Sequence, residues 1–509
     1  MSNIDHHWGS WANAPEPIPE ESILKSYECD VAVIGAGISG VACALRAAQN
    51  GLDVIVLEKG STWSGRGGNI GVVNSKFMRE QGHVNDPDEI AREWMKRCAN
   101  LCDEKIVWQY LRHGEAAMDW LLDIITMPED GARPELQACL YRGDAYVEHY
   151  GSHRFFDGPM HKKGMRAGGA DAVYAMYCEA VKLGVRFLFN SPAEQLVKVD
   201  GRVTGAVAKD ADGYLRVNAG RGVVLATGDI GGNREMCDDL APLANRCTAQ
   251  VYMPRGNNTG DGHRMGLWAG GMFEDTPFPV MSHPMGYHFV YYCFLFINPN
   301  NGERFMNEDN NIQSTVNNQL RLYMPYAWSL LDGDWLKNAE DSMQYGGGMF
   351  WELDHGPDEG PFSEEKHLAM MERGLRSGNV VTADTLEELA EKMGMPADKI
   401  IATVERYNSL VEKGHDDDFG KRKELLKGIY KPPFYAIKFG TSALAVTGGL
   451  RVDERMGVLD EKLEHIPGLY AIGNAAGGRY GVNYPLLIPG NSHGTALTFG
   501  YLLGNLLAE

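Results

Sequence analysis

A glycine-rich segment near the N-terminus constrains the fold of this chain more than any other feature. Residues 30–59 read DVAVIGAGISGVACALRAAQNGLDVIVLEK, so an apolar, strand-like run passes into a turn containing Gly35, Gly37 and Gly40 and then into a helical stretch. Glycines at these positions permit a tight turn, the approach of a pyrophosphate to the backbone and close packing of helix on strand. The pattern predicts a Rossmann-like α/β dinucleotide-binding domain with phosphate at a helix N-terminus.

The second predicted strand and the loop after it extend this nucleotide site. The strand ends in Glu58, 58 − 40 = 18 residues after Gly40, which is about the spacing at which a carboxylate reaches a ribose diol. The loop that follows is too rich in glycine for a helix and suits backbone amides wrapped around a cofactor. The residues expected to contact the cofactor here are Lys59, Gly65, Gly67, Gly68, Asn69 and Gly71.

Three later segments have the same glycine-rich character. An apolar strand over 222–226 ends in Thr-Gly, a TGDG sequence at 259–262 begins a helix, and the C-terminal sequence PGNSHG opens a further helix. Backbone amides at strand ends and helix starts are common nucleotide contacts. The cofactor-binding residues predicted in these segments are Thr227, Gly228, Asp261, Asn474, Asn491 and Ser492.

A change in composition divides the chain. From about residue 278 to 445 it is rich in Met, Asn, Tyr and Trp and lacks the strand-helix alternation, which returns at residue 446. We therefore predict an N-terminal arm (1–27), a nucleotide-binding domain in two parts (28–277 and 446–509) and an inserted α+β capping domain (278–445). The acidic stretch 416–418 is expected to be a solvated loop.

Charge and cysteine usage exclude several classes of protein. A net charge of −20 argues against a nucleic-acid partner or an anionic membrane surface, and no apolar run approaches the ~18 residues that a membrane span needs. The nine cysteines lack metal-ligand spacing, and His6 and His7 are expected to be solvated, so no metal site is predicted. Reduced thiols and the lack of a secretion signal favour a cytoplasmic protein.

Motifs along nearly the whole chain from residue 28 resemble those of the flavoprotein family of fumarate reductases, urocanate reductases and 3-ketosteroid dehydrogenases. The matching blocks are VAVIGAGISG, VVLATGDIGGN, TGDG, SHP, GERFMNE, TGGLRVDE and LYAIGNAAGGRYGVNYP with PGNSHG. The resemblance implies FAD between a Rossmann-like domain and a capping domain, with hydride transfer between flavin N5 and a C=C or CH–CH carbon. The loop over 60–71 lacks the covalent histidine of the respiratory members, so non-covalent FAD is expected.

Departures from the fumarate-reducing pattern indicate the substrate. Those members hold their dianion with two histidines and two arginines, and this chain keeps His283 but has Ile312, Ala445 and Tyr484 at the other three positions. Each lost cation would have made charge-assisted hydrogen bonds worth ~1.5–3 kcal/mol. A dicarboxylate is therefore disfavoured.

The C-terminal block is closer to the ketosteroid dehydrogenase branch. That resemblance places Tyr484 and Gly490 as the donors that polarise a substrate carbonyl, while the branch's base tyrosine is replaced by Ile312. The acid or base must then come from elsewhere, and His283, Tyr480 and Tyr484 are candidates, although His283 could equally be a structural histidine. More remote candidates are Tyr287, Tyr291 and Tyr292.

These patterns predict an FAD-dependent oxidoreductase, expected to work as a reductase, that acts on an activated carbon–carbon bond. The expected substrate is neutral, apolar and ring-containing, such as a steroid enone or an isoflavonoid like tetrahydrodaidzein. A 3-ketosteroid dehydrogenase, a dicarboxylate reductase and a non-catalytic flavin-binding subunit are the alternatives. The electron donor is unknown, since the chain has no haem motif, iron–sulfur cysteine run or second dinucleotide motif.

Overall fold

The computed structural model describes residues 8–126, 131–137, 143, 147–286, 291–324, 326–346 and 362–509. Its helices are α1 Ile38–Gln49, α2 Lys76–Glu80, α3 Pro87–Arg97, α4 Glu104–Thr126, α5 Pro159–Lys162, α6 Gly169–Lys182, α7 Arg234–Leu240, α8 Pro242–Arg246, α9 Asp261–Trp268, α10 Ile312–Gln319, α11 Trp335–Met343, α12 Glu364–Ser377, α13 Leu386–Met393, α14 Ala397–Lys413 and α15 Asn491–Leu506.

Its strands are β1 Ile23–Ile34, β2 Val54–Leu57, β3 Ile70–Gly71, β4 Arg133–Gln137, β5 Ser152–Phe156, β6 Arg186–Leu188, β7 Ala193–Val199, β8 Arg202–Lys209, β9 Tyr214–Leu225, β10 Ala249–Gln250, β11 Val280–Gly286, β12 Leu295–Ile297, β13 Tyr326–Leu331, β14 Val380–Ala383, β15 Phe434–Val446, β16 Gly457–Leu459 and β17 His465–Ala471.

The main sheet confirms the predicted α/β class. Its order is β6-β2-β1-β9-β17-β16, and all neighbours are parallel except the edge strand β16; β8 pairs with β9, and β7 with β8. The strand segments nearest the glycine-rich turn, Val31–Ile34 of β1 and the whole of β2, are apolar and buried, as is typical of the centre of a parallel sheet. Strand order reverses between β1 and β9, the place where open α/β sheets bind ligands.

Helices α1 and α15 pack closely on each other because α15 carries glycines at the contact. A Cβ atom on Gly500 would lie 2.5 Å from the Ser39 carbonyl oxygen, and one on Gly504 would lie 2.9 Å from that of Cys43. Both helices begin at the same region, near the carboxyl end of β1. The N-terminus of α15 is thereby brought beside the glycine-rich turn.

A second sheet of six strands is organised around β15. Strands β11, β13 and β14 pair antiparallel with it, β10 pairs parallel, and β12 pairs with β13. Helices α13 and α14 contribute to a separate apolar core against this sheet. A small third sheet, β3-β5-β4, anchors the end of the glycine-rich loop. The boundaries proposed for the domains stay a prediction.

None of the helices in the described part of the chain combines the length and the apolarity needed to cross a membrane.

Candidate active site

A cavity of about 1220 Å³ lies at the carboxyl ends of β1, β2 and β9 and extends to the second sheet. Ends of the main-sheet strands form one wall, β11 and β15 contribute another, and the start of α15 a third. This is the position that the strand order predicts for a ligand. Of the predicted site residues, those lining the cavity are Gly35, Gly37, Glu58, Lys59, Gly65, Gly67, Gly68, Asn69, Thr227, Gly228, Asp261, His283, Asn474, Tyr484, Gly490 and Ser492.

The three glycines of the first motif have separate roles. Gly35 has φ +110°, and a Cβ there would lie 2.4 Å from the Ala226 carbonyl oxygen. A Cβ atom on Gly40 would lie 2.0 Å from the carbonyl oxygen of Gly35. The lack of a side chain on Gly35 and Gly40 therefore permits the tight turn and the close packing of α1. No described atom lies within 4 Å of a Cβ built on Gly37, which therefore faces open space in the cavity.

Two helix N-termini meet the cavity without a side-chain cap. Helix α1 begins after Gly37 and α15 after Gly490, and neither cap residue makes a side-chain hydrogen bond. Their first N–H groups have no partner within the helix, and the helix dipole adds positive potential there. The arrangement fits anionic groups of a bound dinucleotide.

Glu58 lies at the end of β2 and is 7% exposed. Its Oε2 accepts a hydrogen bond from the Ala36 N–H at 2.8 Å, and its Oε1 accepts one from the Gly60 N–H at 2.7 Å. Each carboxylate oxygen can accept a second hydrogen bond. Glu58 can thus fix both the glycine-rich turn and the loop after β2 and still accept ribose hydroxyls.

Lys59 forms an ion pair with Asp261 in the wall of the cavity. Its Nζ lies 2.7 Å from Asp261 Oδ2 and donates to Thr259 Oγ1 at 2.8 Å. Burial alone would raise the pKa of Asp261, but Lys59 and neighbouring donors lower it. The pair joins the end of β2 to the start of α9.

Near the start of α15, the cavity offers polar groups suited to a ligand ring with several heteroatoms. Ser492 Oγ donates to Asn474 Oδ1 at 3.4 Å, and His493 Nδ1 lies 3.0 Å from the Asn69 carbonyl oxygen. The Oδ1 atom of Asn69 is buried and has no hydrogen-bond partner among the described residues. Buried polar atoms rarely stay unpaired, so this acceptor fits a ligand N–H.

Tyr484 is 2% exposed, and its hydroxyl oxygen accepts a hydrogen bond from the Ser492 N–H at 3.3 Å. Because that oxygen is the acceptor there, its own proton remains free to be donated elsewhere. Burial and the nearby Tyr480 raise the pKa of Tyr484 well above 10, so the phenol is neutral. Ile312 and Ala445 line the same cavity.

The two histidines of the cavity are also neutral at physiological pH. Burial, with a contribution from Arg166, lowers the pKa of His283 to about 3. Burial and the nearby Arg66 lower the pKa of His493 to about 4. The His493 ring packs against Gly67, where a Cβ would lie 2.3 Å from Cε1.

Four predicted residues lie outside the set of described residues that line the cavity: Gly40, Gly71, Tyr480 and Asn491. The Tyr480 ring stacks on Trp94 with centroids 5.6 Å apart, and its hydroxyl donates to Asn491 Oδ1 at 3.4 Å. Gly71 donates its N–H to the Gly490 carbonyl oxygen at 2.9 Å. Tyr480, Asn491 and Gly71 therefore support the cavity wall from behind.

Two of the three remote acid–base candidates, Tyr291 and Tyr292, are not among the described residues that line the cavity. Tyr291 and Tyr292 are buried in the core, where the Tyr291 hydroxyl contacts His367 Nε2. Tyr287 lies outside the described residues.

The cavity-lining residues that were not singled out from the sequence include Arg66, Arg166, Tyr252 and His493. The Arg66 guanidinium carbon lies 3.2 Å from the Tyr252 ring centroid, and its Nη2 donates to the Leu444 carbonyl oxygen at 3.3 Å. Arg66 and His493 lie inside glycine-rich motifs, and this position in the sequence could have identified them as cavity residues. Arg166 and Tyr252 come from segments without a motif.

The parallel sheet, the uncapped helix N-termini and the large cavity beside them are typical of a dinucleotide-binding protein. The sequence profile of the FAD binding domain family matches residues 30–492, and the chain belongs to this family. It is an FAD-dependent oxidoreductase, which confirms the enzyme class expected for CH–CH and C=C chemistry. Among the described residues, no group of three or more His, Cys, Asp or Glu side chains could hold a metal ion.

Similar proteins fall in both expected branches. The chain is 28% identical to a vinyl phenol reductase of Lactiplantibacillus plantarum, covering 96% of this chain and 98% of that protein. It is 26% identical to a fumarate reductase (cytochrome) of Shewanella frigidimarina, covering 94% and 77%. The structure of a 3-ketosteroid-Δ4-(5α)-dehydrogenase from Rhodococcus jostii RHA1 with 4-androstene-3,17-dione matches with a TM-score of 0.74 at 25% identity, covering 97% and 99%.

Proposed function

We propose that this enzyme reduces an activated C=C bond in a neutral, largely apolar ring substrate, such as a steroid enone or a plant phenolic of the isoflavonoid type. The observation that carries the proposal is the placement of Ile312, Ala445 and Tyr484 in the cavity wall. At these positions the dicarboxylate-reducing pattern requires cations. A dianion would therefore lack the charge-assisted hydrogen bonds that cations at these three positions supply.

Bound FAD supplies hydride transfer at its N5 atom, and the chain's residues prepare the substrate for it. Tyr484 donates its phenolic proton in a hydrogen bond to the substrate oxygen conjugated with the C=C bond. That bond strengthens as negative charge develops on the oxygen, as at an oxyanion hole. The neighbouring N-terminus of α15 stabilises the same charge through its dipole.

The apolar part of the cavity wall favours a substrate with a flat, apolar ring system. Met160, Met165, Met281 and Leu486 line the cavity, and methionines adapt to irregular ring shapes. His283 is neutral above about pH 3, so in this proposal it orients the substrate by a hydrogen bond rather than by charge. Arg66 is held by Tyr252 and the Leu444 carbonyl group.

We further propose non-covalent FAD and a cytoplasmic location. The glycine-rich loop 60–71 contains no histidine to attach the flavin, and the eight described cysteines are free thiols. Acid precipitation should release all of the flavin into the supernatant. Flavin retained on the precipitated chain would contradict the non-covalent assignment.

A 3-ketosteroid dehydrogenase is the second candidate. The Gly-x-x-Tyr-Pro sequence around Tyr484 and the similarity to the steroid-bound structure favour it. The same donors would serve hydride removal from a saturated ketone as well as hydride addition to an enone.

The test is an anaerobic experiment on the purified holoprotein. The flavin is photoreduced, and fumarate, a 4-en-3-one steroid, 4-vinylphenol and an isoflavonoid are added in turn while the oxidised-flavin absorbance is followed. We expect rapid reoxidation by at least one ring compound and little by fumarate. Fast reoxidation by fumarate would overturn the proposal, and bleaching of oxidised flavin by a saturated ketone would favour the dehydrogenase.

A further inference from the structure

The loop that carries Tyr484 into the cavity contains a strained residue. Leu486, two positions later, has φ +42°, a left-handed conformation that a branched apolar side chain rarely adopts. Leu486 is 5% exposed and itself lines the cavity. Strained residues persist only where their surroundings hold them, and they cluster at functional sites.

The group that holds this strained backbone is the guanidinium of Arg97, the last residue of α3. Its Nη1 donates to the Pro485 carbonyl oxygen at 3.0 Å and to the Leu486 carbonyl oxygen at 3.2 Å, so one nitrogen bridges the two carbonyls at the strained residue. Its Nη2 donates to the Val147 carbonyl oxygen at 2.8 Å. The Arg97 side chain is only 4% exposed.

The turn after α3 holds the same loop along its length. The Arg97 carbonyl oxygen accepts a hydrogen bond from Asn483 Nδ2 at 3.3 Å, and Cys98 Sγ donates to the Asn483 carbonyl oxygen at 3.1 Å. Further back, the Asp103 N–H donates to the Gly478 carbonyl oxygen at 2.7 Å. Tyr484 is thus held between anchored neighbours on both sides.

We infer that Arg97 is a positioning residue for the reaction: its buried guanidinium fixes the Pro485 and Leu486 carbonyls and thereby places the Tyr484 hydroxyl at the cavity. The inference rests on the proposed function, because it assigns Arg97 a role through Tyr484. Arginine suits this role since its planar fork reaches three carbonyl oxygens in fixed directions, whereas lysine offers a point charge. A displacement of about 1 Å at a positioning group can cost ~10²-fold in rate.

The test compares Arg97→Met and Arg97→Lys with Arg202→Met as a matched control. Arg202 Nη2 also donates to two successive carbonyl oxygens, those of Gly220 and Arg221, at 3.2 and 2.8 Å, but none of these three residues lines the cavity. The readout is flavin reoxidation by the fastest ring compound of the panel, with reoxidation by dioxygen as the reference. We expect Arg97→Met to slow the ring-compound reaction by ~10²-fold while the dioxygen reaction stays unchanged.

Arg97→Lys should recover part of the rate, and Arg202→Met should change neither reaction. A double-mutant cycle with Tyr484→Phe then separates positioning from general damage. In the Tyr484→Phe background, Arg97→Met should cause little further loss in the rate of flavin reoxidation by the ring compound. If Arg97→Met loses FAD, Arg97→Lys takes its place in the cycle. An equal cost in both backgrounds would overturn the inference, whereas a Tyr484→Phe variant with an unchanged rate would overturn the proposed function instead.

Discussion

At the scale of single residues, the uncharged side chains of Tyr484, His283 and His493 line the cavity and can hydrogen-bond to a ligand. Tyr484 keeps its proton because burial raises the pKa of the phenol, while burial lowers the pKa values of His283 and His493. Such groups donate hydrogen bonds without carrying charge. In the proposed function, these groups therefore bind an oxygen atom on an apolar substrate.

Replacing Tyr484 by Phe tests this directly. If Tyr484 is the donor to the substrate oxygen, as proposed, the variant loses that hydrogen bond, and we expect ring-compound reoxidation of the reduced flavin to fall by ~10²–10³-fold. Tyr480→Phe is the matched control, because the Tyr480 hydroxyl bonds to Asn491 and Thr495 in the core. That control should lower stability by about 1 kcal/mol and leave the rate near normal. Equal rate losses in both variants would contradict the role of Tyr484.

The glycines of the first motif allow a second comparison between neighbours. A methyl group on Gly37 meets no described atom within 4 Å, so Gly37→Ala should leave the unfolding of the apoprotein unchanged but weaken FAD binding. Gly40→Ala places its methyl group 2.0 Å from a carbonyl oxygen and should destabilise the apoprotein itself. Apoprotein melting and FAD titration by fluorescence measure the two effects. Normal FAD affinity in Gly37→Ala would place the pyrophosphate elsewhere.

At the scale of elements, a buried ionic cluster ties the segment after β12 to the loop after α14. Arg304 Nη2 lies 2.7 Å from Glu308 Oε2 and 2.8 Å from Asp416 Oδ2, and Lys421 Nζ lies 3.3 Å from Glu308 Oε2. Burial alone would raise the pKa of Glu308, but Lys421 and Arg304 lower it. The interpretation of 416–418 as a wholly solvated loop was wrong for Asp416, which is 2% exposed.

Lys421→Met should destabilise the protein strongly because it leaves the fully buried Glu308 with one fewer cation. Breaking a buried ion pair typically costs ~3–5 kcal/mol. Lys413→Met is the control, since the Lys413–Asp417 pair lies on the surface and should contribute nothing measurable. Urea unfolding of the holoprotein measures both. Similar midpoints for the two variants would show that the cluster is not a stabilising unit.

At the scale of the whole molecule, four buried histidines couple stability to pH. Burial lowers the pKa to about 4 in His153, His263 and His493 and to about 3 in His283, against 6.5 for the exposed group. Between these values the unfolded chain binds more protons than the folded one, so stability is lost as pH falls below about 6.5. Each histidine contributes at most about 1.4 kcal/mol per pH unit.

Glu274 opposes this trend and offers the test. Burial raises its pKa to about 7, so the folded protein holds the extra proton between pH 4.5 and 7, and this contribution to stability falls as pH rises. Glu274→Gln should therefore steepen the net rise of the unfolding free energy from pH 5 to 7. Urea titrations at each pH measure the slope. A shallower slope in Glu274→Gln would contradict the raised pKa.

The sequence by itself predicted the α/β fold class and the FAD-binding family, and both are confirmed. These features are local: glycine positions, strand and helix periodicity and short motifs specify backbone geometry over a few residues. Residue-level roles at the site and the domain boundaries stay predictions.

Only the tertiary structure decided which side chains face the cavity. Tyr480 and Tyr484 stand four residues apart in one loop, yet only Tyr484 is among the described cavity-lining residues, because positive φ angles at Gly478 and Gly481 set the course of the loop. Arg166 and Tyr252 reach the cavity from distant segments without motifs, and Arg97 holds its loop across nearly four hundred residues of sequence. Such contacts depend on how separate elements pack, which no local pattern encodes.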